Sequence, residues 1–174
     1  MKEKPEYENY PVSLEEMGKR YKNWTDTLAL QMVLLYRVGK EVGGQKFVDR
    51  LKEEYYKNGG KAATFWMDQT GSRPEDFKDC MGIAKLQDAI DDAHANFWDG
   101  YIERTPKAFE KEVKTCPVAR AWSKEPEICE VLIGEFVKGL ATALNPKFKN
   151  EGFSKLLTKG DKTCRFRFEM LDEV

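Results

Sequence analysis

The apolar residues of this chain change their spacing along its length, and that switch limits the fold more than any other feature of the sequence. Leu14, Met17, Tyr21, Trp24, Leu28, Met32, Leu35 and Val38 recur every three or four positions, which predicts helix from Ser13 to about Gly43. Ser13 and Glu16 form a capping box at its start, and Thr25 offers a second cap where the helix could divide. Phe47, Leu51 and Tyr55 step by four and predict a helix over 45–57 between Gly43-Gly44 and Gly59-Gly60. Residues 61–68 read as another turn or two of helix. Pro74 is placed to open a helix reaching about Asp91, with Phe77, Met81, Ala84, Ile90 and Ala93 on its apolar face.

The period then becomes two. Residues 96–104 and 108–115 alternate around Thr105-Pro106-Lys107, the pattern of a β-hairpin. Helix returns over 118–123 and 125–143, the latter carrying Ile128, Leu132, Phe136 and Leu140, and Asn145-Pro146 stops it. A second hairpin follows over 147–157 and 163–170. In its last strand Cys164, Phe166, Phe168 and Met170 share one face and Arg165, Arg167 and Glu169 the other. Helices, hairpin, helices, hairpin predicts one α+β domain over 1–174, helical over 1–93. Two β-hairpins then form a four-stranded antiparallel sheet covered by helices.

Charge and composition exclude several function classes. Lys+Arg 29 against Asp+Glu 30 gives a net charge of -1, without the basic surplus of a general nucleic-acid binder. No apolar run approaches the roughly 18 residues that cross a bilayer, so no membrane partner is expected. The opening MKEKPEYENYP is too polar for a signal peptide, and with no CxxC pair the four cysteines read as reduced thiols of a cytoplasmic protein. Phosphate-cradling, dinucleotide-binding, HExxH and GxSxG motifs are absent.

Four groups of residues could carry chemistry. Cys116 falls at a strand-to-helix junction, where the dipole of the following helix would lower a thiol's pKa and activate it. Cys129 and Cys164 fall on apolar faces, as small core residues do. If Cys116, Cys129 and Cys164 converge, Glu130 or His94 could complete a zinc site; otherwise no cofactor is expected. Asp91 and His94 could pair as an oriented general base, or simply end a solvated helix. Trp24, Phe65, Trp66, Phe97, Trp98, Tyr101 and Trp122 could line a pocket for a planar ligand or fill the core.

Cys116-Pro117, Cys129-Glu130, Asn145-Pro146 and Gly160-Asp161-Lys162-Thr163-Cys164-Arg165-Phe166, in this order and spacing, resemble the L-2-amino-thiazoline-4-carboxylic acid hydrolase family over about residues 95–170. The closing hairpin is also similar to 4-vinyl reductase-type small-molecule-binding domains. Some of those bind zinc through cysteines and a glutamate, where this chain has Phe153 and Leu156 at two of the positions. The hydrolase resemblance implies attack on a C–N or C=N bond of a small heterocyclic or amino-acid-derived substrate. Catalysis would fall to Cys116, or to Asp91 with His94, and Asn145, Arg120, Trp98 and Trp122 would hold the substrate. Two other classes stand beside it: a non-catalytic small-molecule-binding or sensor domain, and an accessory subunit docking on a larger protein. The apolar helix around Leu28–Val38 is the expected docking or homodimer face.

Overall fold

A computed structural model describes residues 13–93 and 100–171 and shows an α+β fold. Its first element, α1 (Leu14–Thr70), starts where the sequence signals it, with the Ser13 hydroxyl accepting the Glu16 N–H at 3.2 Å. Thr25 does not divide it. Gly44 does break its line, with φ 57 and ψ -146, a left-handed conformation that suits glycine. Gly71 then closes the helix at φ 65.

Gly59 and Gly60, expected as a terminator, lie inside α1. The reason is a helix crossing. A Cβ on Gly59 would sit 1.9 Å from the carbonyl oxygen of Phe136, and one on Gly139 would sit 1.9 Å from that of Tyr56. The two glycines let α1 and α4 (Glu135–Leu144) meet backbone to backbone.

The helix expected from Pro74 is two pieces. Pro74 opens a 3₁₀ turn (Pro74–Phe77), held by the Arg73 N–H donating to Asp76 Oδ2 at 2.8 Å, and α2 (Cys80–Ala93) follows. Its buried side is Cys80, Ile83, Ala84, Leu86 and Ile90, while Met81 is partly exposed. Two strands, β1 (Gly100–Arg104) and β2 (Ala108–Val113), make the first hairpin, and α3 (Ala119–Trp122) is a single turn. The helix expected over 125–143 begins as a π-helical segment, Cys129–Gly134, before α4. Asn145 ends α4 by donating from Nδ2 to the Phe77 carbonyl at 2.8 Å. The second hairpin is β3 (Phe148–Lys155) and β4 (Cys164–Met170).

The sheet is antiparallel throughout, in the order β1-β2-β4-β3. In the central pair Phe109 lies opposite Phe168, Lys111 opposite Phe166 and Val113 opposite Cys164. These residues form the face covered by helices, as the alternation of β4 required. On the other face Arg165 binds Glu112 at 2.9 Å, and Arg167 pairs with Glu103 and with Glu169. Two apolar cores result. One joins α2, α4 and the Phe109–Phe168 stack, and the second joins α1, α3, the π segment and the Leu156–Cys164 end of the last hairpin.

Candidate functional site: a cysteine-lined cavity beside a buried lysine

Between the sheet and its helical cover lies a cavity of about 290 Å³. Val113 and Phe166 reach it from the central strands, Cys164 from the start of β4 and Phe153 from β3. The turn from β2 to α3 adds Thr115, Cys116, Pro117 and Val118. Trp122, Cys129, Ile133 and Val137 close the helical side, and Gln87, Asp91 and Asn150 are the polar residues of the wall. Cys129 and Ile133 belong to the π segment, the kind of local widening that often accompanies ligand sites in helices.

Cys116, Cys129 and Cys164 thus meet at one cavity although 48 residues separate the first from the last in sequence (164 minus 116). All are free thiols, and none is activated. Burial pushes the Cys129 thiol up to about 12, helped by the neighbouring Cys164 and Cys116. Burial also raises Cys164, against a hydrogen bond from the Leu157 N–H to its Sγ at 3.2 Å. Cys116 was expected to have a lowered pKa. Its thiol is instead raised, because burial outweighs the backbone N–H groups of Val118 and Ala119 that would favour the thiolate. The helix that follows it spans four residues, too few to sum a strong dipole.

Asp91 leads from the cavity to a buried ionic cluster. Lys111 is fully buried on the apolar face of β2, and its ammonium pairs with Asp91 and, at 3.1 Å, with Asp88. Gln87 donates to Asp91 Oδ1 at 3.1 Å. Asp88 accepts the Tyr101 hydroxyl at 2.6 Å and lies 3.4 Å from Arg104. Burial and that bond to Asp88 raise the pKa of the Tyr101 phenol. Sequence reasoning missed Lys111, although a lysine between Phe109 and Val113 on one strand face, with carboxylates three apart on α2, is a readable sign of a buried pair.

The other expected site residues scatter. Trp122 is buried on the cavity wall, and its indole N–H has no hydrogen-bond partner among the described residues. Arg120 is exposed and bound to Asp26 at 2.6 Å, away from the cavity. Asn145 is a helix-end residue whose Oδ1 accepts the Lys147 N–H at 3.0 Å. Glu130 pairs with Lys159 at 2.8 Å. Among the described residues no group of three His, Cys, Asp or Glu side chains is placed to hold a metal ion. His94 and Trp98 lie outside the described residues. None of the described helices is long and apolar enough to cross a membrane.

No family model matches the chain and no curated protein matches it. Its architecture does match a solved structure, a trafficking protein particle complex subunit 3 from Naegleria fowleri covalently bound to palmitic acid. The match has a TM-score of 0.62 at 12% identity and covers 88% of this chain and 98% of that one. At that identity the likeness is one of fold. It sets the chain beside a trafficking-complex subunit, a different family from the thiazoline-carboxylate hydrolases, and so overturns the hydrolase resemblance and the hydrolase function expected from it. The local geometry agrees with that correction: Cys116 is not an activated thiolate, and Arg120 and Asn145 are engaged elsewhere.

Proposed function

We propose that this chain is a non-catalytic subunit of a larger cytoplasmic assembly, and that its cavity holds the acyl chain of a lipid or fatty acid. The observation that carries this reading is the cavity wall. Aromatic and aliphatic side chains from the sheet and the helices make most of it, and its thiols are kept protonated by burial. Such a wall favours an apolar ligand through removal of hydrocarbon from water, worth about 0.8 kcal/mol per buried CH₂. The structurally similar trafficking subunit carries covalently bound palmitic acid, which supports the same ligand class here. The indole N–H of Trp122, without a partner among the described residues, would donate to a carbonyl or carboxylate oxygen of the ligand. Cys116, less buried than the other two wall thiols, is the position at which a thioester would form by acyl transfer from an activated acyl thioester such as acyl-coenzyme A, whose own thiol leaves and takes up the Cys116 proton.

The test is binding of a fluorescent fatty-acid analogue to the purified chain, with the intact mass read before and after neutral hydroxylamine. Saturable binding is expected, displaced by palmitate and weakened at least tenfold by Val137→Trp, which fills the cavity. Arg120→Ala serves as the control that leaves binding unchanged. A hydroxylamine-labile acyl mass lost in Cys116→Ser would identify a thioester. Absence of both saturable binding and any acyl mass would overturn the reading.

A further inference from the structure

The wall of the cavity is not apolar throughout, and its polar residues gather at one end. Trp122, Cys129 and Cys164 belong to the second core, while Val137 and Phe166 pack against the first. The cavity therefore runs from one core toward the other, and Gln87, Asp91 and Asn150 mark its first-core end. Gln87 and Asp91 come from α2, whose apolar side is in that core, and Asn150 stands opposite Phe168 in the β3–β4 ladder. Phe168 lies four residues beyond Cys164 on β4 (168 minus 164), which places Asn150 about 13 Å from the thiol end at roughly 3.3 Å per residue.

Each of the three polar residues has a fixed partner that decides what it offers a ligand. Gln87 Nε2 donates to Asp91 Oδ1 at 3.1 Å, which leaves the Gln87 Oε1 as an acceptor without a partner among the described residues. Asp91 is buried, and its Oδ2 takes the Lys111 ammonium. Asp91 lines the cavity and Lys111 does not, so the wall presents the carboxylate and the cation stands behind it. Asn150 Oδ1 accepts the Gly152 N–H at 2.8 Å across a bulge in β3, where Gly152 takes φ 83. That bond orients the Asn150 amide and leaves its Nδ2 as a donor.

An acceptor and a donor beside a carboxylate suit a neutral group that both donates and accepts. A methyl terminus at this end would expel water from the two amides and leave them unpaired. A carboxylate there would face Asp91 with like charge. A hydroxyl supplies both halves, a proton for Gln87 Oε1 and a lone pair for the Asn150 Nδ2 group. We propose that the polar end of the cavity reads the far terminus of the ligand and selects an acyl chain that ends in a hydroxyl. The carboxyl or thioester end then lies at Trp122 and Cys116. This specificity rests on the acyl-chain reading of the cavity and narrows it to one class of chain.

The test is competition of laurate, ω-hydroxylaurate and ω-carboxylaurate against the fluorescent fatty-acid analogue on the full chain. The three share one chain length, about 14 Å extended from C–C bonds of roughly 1.5 Å, which matches the span between the two ends. The wild type is expected to bind ω-hydroxylaurate about fivefold tighter than laurate, the worth of one net hydrogen bond, and ω-carboxylaurate weakest. Gln87→Met with Asn150→Leu should bind laurate the tighter of the first two. A wild type that binds laurate at least as tightly as ω-hydroxylaurate would overturn the specificity and leave the acyl reading standing. Tightest binding of ω-carboxylaurate would overturn it as well, because Lys111 would then be reading the chain end. So would a hydroxyl preference that survives the double substitution. If neither the analogue nor any of the three binds, both readings fall. The wild-type ranking is decisive even if the double variant fails to fold.

Discussion

Replacing Gly59 and Gly60 separately by alanine should change stability in opposite directions, although they are neighbours in one helix. An alanine Cβ at 59 would lie 1.9 Å from the Phe136 carbonyl oxygen, against about 3.4 Å for an ordinary contact, so α1 and α4 would have to separate by about 1.5 Å (3.4 minus 1.9). Both sides of that contact are backbone, so no side-chain rotation relieves it. Overpacking of this kind costs roughly 3 kcal/mol, and the helix propensity gained from alanine returns about 1, leaving a net loss of about 2 kcal/mol. At Gly60 the new Cβ would meet only the Ala143 Cβ at 3.8 Å and the Gly139 carbonyl at 3.9 Å, both comfortable distances. There the propensity gain of about 0.5–1 kcal/mol should appear unopposed. The assay is urea unfolding followed by far-ultraviolet circular dichroism, comparing midpoints at equal slope. If Gly59→Ala were as stable as the wild type, α1 and α4 would not cross backbone to backbone, and the account of why the helix runs through these glycines would be wrong.

Other consequences can be measured on the same footing. Lys111→Met should cost about 3–5 kcal/mol, because it leaves Asp88 and Asp91 without their buried cation, and adding Asp91→Asn should recover part of that loss in the same urea titration. Arg120→Ala should shift stability by less than about 1 kcal/mol, since its ion pair with Asp26 is made by an exposed guanidinium. The thiols predict an alkaline slope. Cys129 is held up to about 12 and Cys80 to about 11, so above an ordinary thiol pKa of about 8.5 the unfolded chain releases protons that the folded chain keeps. Their contribution is therefore complete below that pH and is lost as pH rises toward the folded values. Cys129→Ala should flatten the fall in stability between about pH 9 and 11, and in the wild type Cys129 should alkylate at neutral pH far more slowly than in the urea-unfolded chain.

Local order in this chain is written in the sequence. The three-and-four spacing before residue 93 and the alternation around Thr105 and in residues 164–170 name each element type, since side-chain direction repeats with the backbone period in helix and strand alike. Ser13, Pro74, Gly71 and, through the Oδ1 that accepts the Lys147 N–H, Asn145 act within a few residues of themselves, so three of these boundaries were legible in advance and the fourth follows the same chemistry; only the Asn145 bond to the Phe77 carbonyl is long-range. The division of β4 into an apolar and a charged face likewise needs no partner to be read.

What one residue does to another far along the chain is a different matter. Gly59 looks like a helix stop until α4 is laid across it, because only the approaching Phe136 carbonyl shows why a side chain is excluded. Cys116 looks like an activated thiol until the sheet and the π segment enclose it, and then desolvation outweighs the local N–H groups. Leu28 and Leu35 share the helical spacing of Ala29, Val33 and Tyr36, and only the packed body shows which of these residues α1 buries. Hydrogen-bonding periodicity is a property of the backbone and acts within a turn or a strand pair. Burial, close approach and charge pairing depend on residues from distant elements arriving at one place, and that arrival is decided by the tertiary structure.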